Sequence, residues 1–387
     1  MNIDYRHKKN LKTCTKCVLD TTIEEIYFDS DGICNFCHSH KMMEKKYPLG
    51  DKAKNELNKI VKKIKFEGKN KRYDCIVGVS GGRDSTYTLY NAVKLGLRPL
   101  AVHFDNGWNS DIAVKNIHNA TKILNVDLET VVADWEEFKD LQLAFLRASV
   151  SDAEVPTDWV IFSILFKTAK KVGVRFILQG HSFRTEGSTP LSWTYMDGKY
   201  VSSVHKLFGT KKIKSFPIMT MLSYFKYSIF HRIKQIRLLY YIPYDEKQVF
   251  KLMHEKLKWK DYGGKHFESA YTSMFQSYIL VKKFKIDKRK LHLSALIRSN
   301  QISRKDALKI IKKNPFVGGE KMIEYTAKKL GITLEEFHQI MSLKVKSFRD
   351  YPTYYSLIKR LEPIIKLGNK LNFIPDSVIN KYYKLDK

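Results

Sequence analysis

Three stretches of this sequence combine residue types at spacings that suit chemistry, and the first is a hexapeptide rich in glycine and serine. Residues Ser80 to Ser85 read SGGRDS and follow the apolar run 76–79. Gly81 and Gly82 allow the backbone to approach an anion at angles that a side chain would forbid. The terminal hydroxyls and the unpaired N–H groups of a following helix would bind the same anion. The segment therefore predicts a phosphate-binding turn, with a glycine-rich turn that binds nothing as the alternative.

The second stretch contains four of the five cysteines, arranged as two CxxC pairs that are sixteen residues apart. This spacing is typical of a four-cysteine zinc ribbon, in which the thiolates hold one tetrahedral ion. The expected ligands of structural Zn²⁺ are Cys14, Cys17, Cys34 and Cys37. An iron–sulfur cluster or a redox dithiol is the alternative. The fifth cysteine, Cys75, lies in the strand that leads to the hexapeptide and is expected in the core.

The third stretch, residues 262–269, reads YGGKHFES. Its glycine pair would again permit close backbone approach, and Lys265 would supply a positive charge suited to phosphate. Glu268 could position a nucleophile or a metal ion. We therefore expect Lys265 and Glu268 to act in catalysis. The alternative is an ordinary turn followed by the solvated basic face of a helix.

From residue 72 onward the pattern alternates between strand and helix. The predicted strands are residues 72–80, 99–107, 127–135 and 174–181, with a helix at 84–95. This alternation is typical of an α/β fold with a doubly wound parallel sheet. Ligands bind at the carboxyl ends of such strands, which is where Asp105, Asn106, Gly180 and His181 lie. A lone histidine is as often structural, so both interpretations of His181 stay open.

Charge and hydropathy bound the choice of partners. The net charge is +29, of which +24 lies in residues 201–387. A nucleic-acid face, an anionic substrate or membrane surface, and an AT-rich coding bias would each produce this excess, so charge alone selects no partner. No uncharged apolar run would span a bilayer, and the first residues lack the apolar region of a signal peptide, which predicts a cytoplasmic protein. The amphipathic segment 213–243 is expected to pack as a core helix, with partner docking or membrane-surface contact as alternatives.

The hexapeptide resembles the PP-loop, SGGxDS, of the N-type ATP pyrophosphatases, which cleave ATP between its α and β phosphates. The common phosphate loop GxxxxGK(S/T) does not occur in this sequence. The resemblance implies that residues 80–85 bind ATP, and Arg83 stands where a lysine is frequent. Asp84 would help to hold Mg²⁺; it could also cap the helix, and the two roles are compatible. The resemblance further implies that Asp105 and Asn106 contact the adenosine. Gly180 and His181, which follow the fourth predicted strand, could serve the same pocket.

The flanking segments narrow this resemblance. The segments that carry it occur in order between about residue 10 and residue 315. They are CTKCVLDTT and GICNFC before the loop, VPTDW after it, and the stretch from YGGKHFES through KFKIDKRKLHLSALIRSNQISRKDAL. Together they resemble the N-acetyl sugar amidotransferase family of lipopolysaccharide and O-antigen biosynthesis. The resemblance implies that ATP adenylylates an acetamido group on a nucleotide-linked N-acetyl sugar. Ammonia would then displace AMP and leave an acetamidino group.

The resemblance also implies partners and a division of the chain. Asn2 rather than Cys follows the initiator Met, and no cysteine occurs after residue 75, so the chain carries no evident glutaminase. Separate glutaminase and cyclase-like subunits, similar to those of imidazole-glycerol-phosphate synthase, would supply the ammonia. We predict a zinc ribbon at 1–50, a PP-loop ATP-binding domain at 51–205 and a helical, basic substrate or partner region at 206–387.

The main alternative is a PP-loop enzyme that thiolates tRNA and uses the basic half of the chain to bind phosphates. It predicts a reactive cysteine near the ATP pocket, which only Cys75 or the four-cysteine module could supply. A non-catalytic zinc-ribbon protein that binds nucleic acid is a third interpretation, and the intact SGGRDS loop argues against it. We therefore do not expect nucleic acid as a partner.

Overall fold

Five parallel strands form the central sheet of the protein in a computed structural model, which describes residues 11–316, 318–370, 374, 379 and 382. The strands are β1 Cys75–Gly78, β2 Pro99–Asp105, β3 Leu128–Val132, β4 Phe176–Gln179 and β5 Lys234–Arg237. Their spatial order is β3-β2-β1-β4-β5, and every paired strand is parallel to its neighbour. The direction of winding reverses between β1 and β4. The predicted doubly wound α/β sheet is confirmed.

Helices cover both faces of this sheet and make up most of the carboxyl-terminal region. Those before β5 are α1 Asn35–Lys46, α2 Asp51–Gly68, α3 Arg83–Lys94, α4 Asp111–Leu124, α5 Trp135–Ala148, α6 Val155–Lys171, α7 Phe183–Glu186, α8 Gly198–Phe208 and α9 Met221–Phe225. Those after β5 are α10 Glu246–Leu257, α11 Ala270–Met274, α12 Leu280–Lys282, α13 Arg289–Arg298, α14 Arg304–Lys312, α15 Gly319–Leu330, α16 Leu334–Ser342, α17 Tyr355–Arg360 and α18 Glu362–Lys370. Within the described residues, no helix has the length and apolar character needed to cross a membrane.

Side chains alternate between the two faces of β1, and each face packs on a separate core. Cys75 and Val77 point into a core that includes residues of α2, α3 and α10. Ile76 points into a larger core that includes residues of α5 and α6. A strand covered on both faces reads as a continuous apolar run, which is why the sequence before the hexapeptide has no polar positions. The two layers of helices hold β1 in the centre, so the loop that follows it leaves from the middle of the sheet edge.

The amino-terminal module is held by short bridges and by docking on a distant helix. Isolated antiparallel bridges join Thr13 to Asp20 and Phe28 to Cys34. Asp20 is buried and forms an ion pair with Lys290 of α13, at 2.5 Å between Nζ and Oδ2. This ion pair links the first residues of the described chain to its carboxyl-terminal half.

The segment 213–243 is broken into shorter elements. It contains α9, a π-helical turn at Lys226–Phe230 and β5, which pairs with β4. Leu222 and Phe230 are 82% and 81% exposed, so these apolar side chains do not pack in the core. The prediction of a single core helix is wrong, because pairing with a sheet edge overrides the helical spacing of the apolar residues. The predicted domain boundaries stay predictions. The strand β5 belongs to the central sheet but lies after residue 205, where the predicted ATP-binding domain ends.

Candidate active site

The loop after β1 adopts a conformation that only glycine accepts readily. Gly81 has a φ of +76°, and a Cβ built on it would lie 2.2 Å from the backbone carbonyl oxygen of Ala113. The carbonyl oxygen of Gly81 accepts hydrogen bonds from Trp259 Nε1 at 2.9 Å and from Asn116 Nδ2 at 3.3 Å. These contacts hold the loop from behind. Its other side faces the carboxyl ends of β1 and β4, where the winding of the sheet reverses and ligands bind in such folds.

The amino terminus of α3 has no side-chain cap. Gly82 occupies the N-cap position and can offer no side chain to the N–H groups of the first turn. Asp84 makes other contacts instead. Tyr244 donates to its Oδ1, and Lys265 Nζ donates to its Oδ2 at 2.8 Å. The capping role considered for Asp84 is therefore wrong, and the uncapped terminus offers N–H donors and the positive end of the helix dipole to an anion.

Lys265 lies beside this helix terminus in an ion network. Its Nζ is 2.8 Å from Asp84 Oδ2 and 3.2 Å from Glu186 Oε1. Glu186 Oε2 also contacts His181 Nδ1, at 2.5 Å. Burial opposes charge on both Lys265 and Glu186. The carboxylates of Asp84 and then Glu186 nevertheless raise the pKa of Lys265. Lys265 and then His181 hold the pKa of Glu186 well below its usual range. The network therefore keeps a full positive charge beside the loop.

A second polar group lies on the same wall. Arg83 forms an ion pair with Glu246, and His292 Nε2 lies 3.9 Å from the same carboxylate oxygen. Burial, and then the positive charge of Lys265, lower the pKa of His292 to about 3. The imidazole is therefore neutral. Its Nδ1 is 2.5 Å from the carbonyl oxygen of Thr185 and must be the donor to it, which leaves Nε2 as an acceptor.

The YGGKHFES segment folds over the hexapeptide. Glu268 Oε1 accepts a hydrogen bond from Ser80 Oγ at 3.2 Å, across 188 residues of sequence. The backbone of this segment pairs with the residues that follow β2, because Asn109 and Ser269 form an antiparallel bridge and Ser110 N donates to Glu268 O at 2.8 Å. The loop after β2 thus fixes the height of the segment above the hexapeptide.

A cavity of about 1040 Å³ opens over the hexapeptide. The predicted site residues in its lining are Ser80, Gly82, Arg83, Asp84, Ser85, Gly180, His181, Lys265 and Glu268. Asp105 and Asn106 lie outside the lining. Their side chains accept hydrogen bonds from the backbone N–H groups of Gly107 and Trp108, at 2.9 and 3.1 Å, and shape the turn after β2. Their contact with adenosine stays a prediction.

Four residues of this site were not indicated by the sequence: Glu186, Tyr244, Glu246 and His292. A signal existed for Glu186, which follows the end of a predicted strand by a few residues and so shares the edge on which His181 lies. Tyr244 and Glu246 lie outside any motif, whereas His292 lies in the segment KFKIDKRKLHLSALIRSNQISRKDAL, whose resemblance did not single it out. The place of all three in the site depends on side-chain contacts with residues far away in the chain. They could be found only from the folded structure.

The four-cysteine module has the geometry of a site for one metal ion. The Sγ atoms of Cys14 and Cys37 are 3.9 Å apart. The Sγ atom of Cys34 lies 3.7 Å from the Sγ atom of Cys17 and 3.7 Å from that of Cys37. Four sulfurs at about 2.3 Å from one tetrahedral zinc ion would be about 3.8 Å apart. In a 4Fe–4S cluster each thiolate binds a different iron at a corner of a cube, so the sulfurs spread farther. The spacing therefore fits a single ion rather than a cluster.

Hydrogen-bond donors surround these sulfurs. Arg298 is buried, and its Nε and Nη2 donate to Cys37 Sγ at 3.2 Å and to Cys17 Sγ at 3.3 Å. The backbone N–H groups of Cys34 and Cys17 donate to Cys14 Sγ at 3.2 and 3.4 Å. Such donors offset the negative charge of metal-bound thiolates and orient them.

None of the five cysteines, all of which the structure describes, lies in the lining of the cavity. Cys75 is fully buried in the core, as predicted, and burial followed by the charge of Asp74 raises the pKa of its thiol. A raised pKa makes a thiol a poor nucleophile. No cysteine thiol therefore lies in the cavity over the hexapeptide.

Solved structures similar to this chain share little sequence with it. NMN synthetase from Francisella tularensis is 12% identical, with a TM-score of 0.30 over 76% of this chain and 98% of that one. The U34-tRNA thiolase NcsA from Methanococcus maripaludis, solved with its 4Fe–4S cluster, is 14% identical, with a TM-score of 0.31 over 87% and 90%. A predicted subunit of tRNA methyltransferase from Methanocaldococcus jannaschii is 15% identical, with a TM-score of 0.28 over 56% and 90%.

A family model matches the carboxyl-terminal part of the sequence, whereas no curated protein matches the chain. The matching residues are 268–363, and the model describes the C-terminal domain of the WbpG-like LPS biosynthesis proteins. The match starts at Glu268, which contacts the hexapeptide, and includes α11 to α17. It agrees with the resemblance to a family of lipopolysaccharide biosynthesis, and residues 268–363 of this chain are similar to the C-terminal domain of the WbpG-like LPS biosynthesis proteins.

Proposed function

We propose that the protein is an ATP-dependent amidotransferase that converts the acetamido group of a nucleotide-linked N-acetyl sugar into an acetamidino group in surface polysaccharide biosynthesis. The observation that carries this proposal is the uncapped terminus of α3, which meets the charged Lys265 where the winding of the sheet reverses. Backbone N–H donors and an ammonium group suit a pyrophosphate leaving group. The WbpG-like domain supports a role in lipopolysaccharide biosynthesis.

The chemistry requires activation of an amide, because its oxygen is a weak nucleophile and a poor leaving group. The carbonyl oxygen attacks the α-phosphorus of ATP, and the bond from that phosphorus to the bridging oxygen breaks to release pyrophosphate. Ammonia then adds to the carbon of the O-adenylyl imidate. The C–O bond breaks, AMP leaves with the electron pair, and an amidine remains. Donors that are fixed in place stabilise the charge that develops on the phosphates.

The residues of the loop have separate tasks in this scheme. The hydroxyls of Ser80 and Ser85 lie 3.3 Å apart. Ser80 would exchange its contact with Glu268, and Ser85 its contact with the carbonyl oxygen of Gly82, for phosphate oxygens. Lys265 would exchange its contact with Asp84 for a phosphate oxygen. The neutral His292 offers an acceptor to a sugar hydroxyl, since its Nδ1 is already used as a donor.

The residues present fit both of the expected metal ions. Mg²⁺ would neutralise charge on the leaving pyrophosphate, and Asp84 would hold it once Lys265 turns to the phosphates. The four cysteines would hold Zn²⁺, because their sulfur spacing matches one tetrahedral ion. Zinc in this position would contribute folding free energy to a module too small to have its own core.

Three lysines in the lining of the cavity support an anionic sugar substrate. Lys247, Lys288 and Lys313 belong to its lining, and a nucleotide-linked sugar would bring a diphosphate to them. A pocket for one small ligand measures roughly 300–1,000 Å³. The cavity of about 1040 Å³ lies at the upper end of this range, which suits a ligand as large as ATP.

Ammonia would come from separate glutaminase and cyclase-like subunits, since no cysteine lines the cavity to act as a glutaminase nucleophile. The same observation disfavours thiolation of tRNA, which needs a reactive thiol near the ATP. The amidotransferase proposal needs no thiol at this place.

The test is an incubation of the protein with ATP, Mg²⁺, ammonium and a UDP-linked N-acetyl sugar, followed by measurement of AMP and pyrophosphate. We expect AMP only when sugar and ammonium are both present, and a product lighter than the sugar by the difference between O and NH. Asp84→Ala should abolish pyrophosphate release, whereas Asp111→Ala, in the exposed first turn of α4, should not. AMP formation that requires tRNA instead of the sugar would overturn the proposal.

A further inference from the structure

A ten-residue helical segment, residues 221–230, exposes four large apolar side chains. It consists of α9 and the π-helical turn that directly follows it. Leu222, Phe225, Ile229 and Phe230 are 82%, 43%, 51% and 81% exposed. Apolar residues that are exposed singly are common on protein surfaces, whereas contiguous ones mark binding surfaces. The four side chains therefore form a binding surface if they share one face of the segment.

The opposite face of the segment is occupied by contacts with α6. Tyr224 packs on Phe162 and on Phe166, with ring centroids 5.7 Å apart in both pairs. Tyr227 packs on Phe166 at 6.0 Å, and Ser228 is buried. These contacts fix which face of the segment points away from the protein.

The four exposed side chains are neighbours on that outward face. Residues three or four positions apart lie next to each other on a helix, which joins Leu222 to Phe225 and Phe225 to Ile229. The turn from Lys226 is closed by a hydrogen bond from the N–H group of residue 231, five positions on, at 3.2 Å. Such a turn rotates less per residue than an α-helix does, so Phe230 returns to the side of Leu222. We call these four side chains the apolar face.

The chain around the apolar face is basic and has no acidic residue. Residues 198–244 include nine Lys or Arg and no Asp or Glu, whereas about five acidic residues would be expected at the average frequency of the chain. Lys226 and Arg232 are exposed in or beside the segment, and Lys167 and Lys170 are exposed on α6 close to Phe166. A coding bias toward lysine would not by itself clear the region of carboxylates. The charge complements an anionic partner.

An anionic membrane surface fits the apolar face better than a protein does. The cores of interfaces between proteins are depleted in lysine, whereas Lys226 is four residues from both Leu222 and Phe230. On a membrane, apolar side chains enter the boundary between headgroups and acyl chains. A lysine beside them extends its ammonium group to the headgroup phosphates. Lys226 would thus strengthen binding to a membrane but weaken an interface with a protein.

We propose that the apolar face docks the protein on the surface of an anionic lipid membrane, with Lys226, Arg232, Lys167 and Lys170 facing the headgroups. This inference goes beyond the proposed function and does not depend on it, because the docking requires neither ATP nor the sugar.

The docked protein would keep its cavity open to water. The segment leads into the amino-terminal end of β5, where Lys234 N donates to the carbonyl oxygen of Arg175 at 2.7 Å, one residue before β4. The cavity instead opens over the carboxyl ends of β1 and β4, and no residue of 221–230 belongs to its lining. Docking at one edge of the sheet therefore leaves the opposite edge free for substrates.

The first test measures binding of the full-length protein to vesicles by sedimentation. One set of vesicles contains phosphatidylglycerol, and the other consists of phosphatidylcholine alone. We expect the protein to bind the anionic vesicles more tightly, and we expect added sodium chloride to weaken that binding by screening. Absence of binding, or equal binding to both sets of vesicles, would overturn the proposal.

The second test compares Phe230→Ser with Phe66→Ser, which removes an equally exposed phenyl group elsewhere. Phe66 lies on α2 and is 80% exposed. The residues three and four positions from it are polar: Lys62, Lys63, Lys69 and Asn70. Phe230→Ser should lower the partition coefficient on anionic vesicles by about tenfold, since burial of a phenyl group is worth at least that factor. Phe66→Ser should bind as the wild type does, and equal binding by the two folded variants would refute the apolar face.

The third test separates lipid from protein as the occupant. Lys226→Gln should weaken binding to the anionic vesicles by about fivefold without altering binding to phosphatidylcholine, whereas Lys62→Gln on α2 should alter neither. Sedimentation velocity without vesicles should give one oligomeric state for the wild type and Phe230→Ser. A change of oligomeric state in Phe230→Ser together with unaltered vesicle binding would assign the apolar face to a second copy of the chain and overturn membrane docking.

Discussion

Replacement of Gly81 by alanine is the most direct test of the loop. The added Cβ would lie 2.2 Å from the backbone carbonyl oxygen of Ala113. Both the Cβ and this oxygen are attached directly to the main chain. No side chain can rotate away to relieve it. The loop must move by about 1 Å relative to α4, and a displacement of about 1 Å at reacting groups costs about 100-fold in rate. We therefore expect pyrophosphate formation by Gly81→Ala to fall by about two orders of magnitude.

Gly173→Ala is the matched control for this change. Gly173 has a φ of +73°, close to the +76° of Gly81, but a Cβ built there meets no atom within 4 Å. Both variants carry the cost of an alanine in the left-handed region, roughly 1–2 kcal/mol. Only Gly81→Ala adds the steric contact, which in a packed site costs a further free energy of about 1–3 kcal/mol. The difference between the variants therefore isolates the approach of the loop to Ala113.

The measurement pairs urea unfolding of both variants with their rates of pyrophosphate release. We expect a lower free energy of unfolding for Gly81→Ala than for Gly173→Ala, and full activity in the control at temperatures where it stays folded. Equal stability losses together with an active Gly81→Ala would refute the reasoning, because the loop would then have room that the structure denies it.

Three further predictions concern the charges of the structure. Lys265→Met should lower the rate of pyrophosphate formation by about 10²- to 10³-fold, since it removes a donor aimed at the developing charge; an unchanged rate in a folded variant would contradict its role. Arg298→Met should weaken metal binding by about 10- to 100-fold in a chelator competition. Arg304→Met is the control and should not weaken it, because the guanidinium of Arg304 donates to backbone carbonyls of the module, at 3.0 Å, and not to sulfur. Although burial opposes it, backbone N–H groups at 214–216 lower the pKa of Glu137 below its ordinary 4.5. The resulting stability is complete above pH 4.5 and is lost as the pH falls through the lower folded value, so melting temperatures should decline less steeply with acid in Glu137→Gln.

The parts that could be predicted from sequence are those specified by neighbouring residues. The apolar run before Ser80, the glycine pair and the helix that starts at Arg83 each follow from local backbone preferences, so strand, loop and helix all appear where expected. The four cysteines meet because their CxxC turns fix the thiolates in pairs. Spacing carries this information, and the sulfur distances agree with it.

The parts that could not be predicted depend on which distant elements pack together. Tyr244 and Glu246 contact Asp84 and Arg83 only because α10 packs beside α3. The break of the segment 213–243 depends on a free sheet edge at β4. Neither fact leaves a mark in the local sequence.

The helix α13 connects the four-cysteine module to the cavity over the hexapeptide. Its carboxyl-terminal residue, Arg298, donates to the cysteine sulfurs, whereas His292 near its other end lines the cavity. Lys290, in the first turn of the helix, is fixed to the module through Asp20. A helix held at its carboxyl-terminal end by the hydrogen bonds of Arg298 and at its amino-terminal end by an ion pair cannot shift or rotate without breaking both sets of contacts. Loss of the metal ion would leave Arg298 facing loosened thiols, so it should alter the position of His292 and the binding of the sugar before it unfolds the sheet.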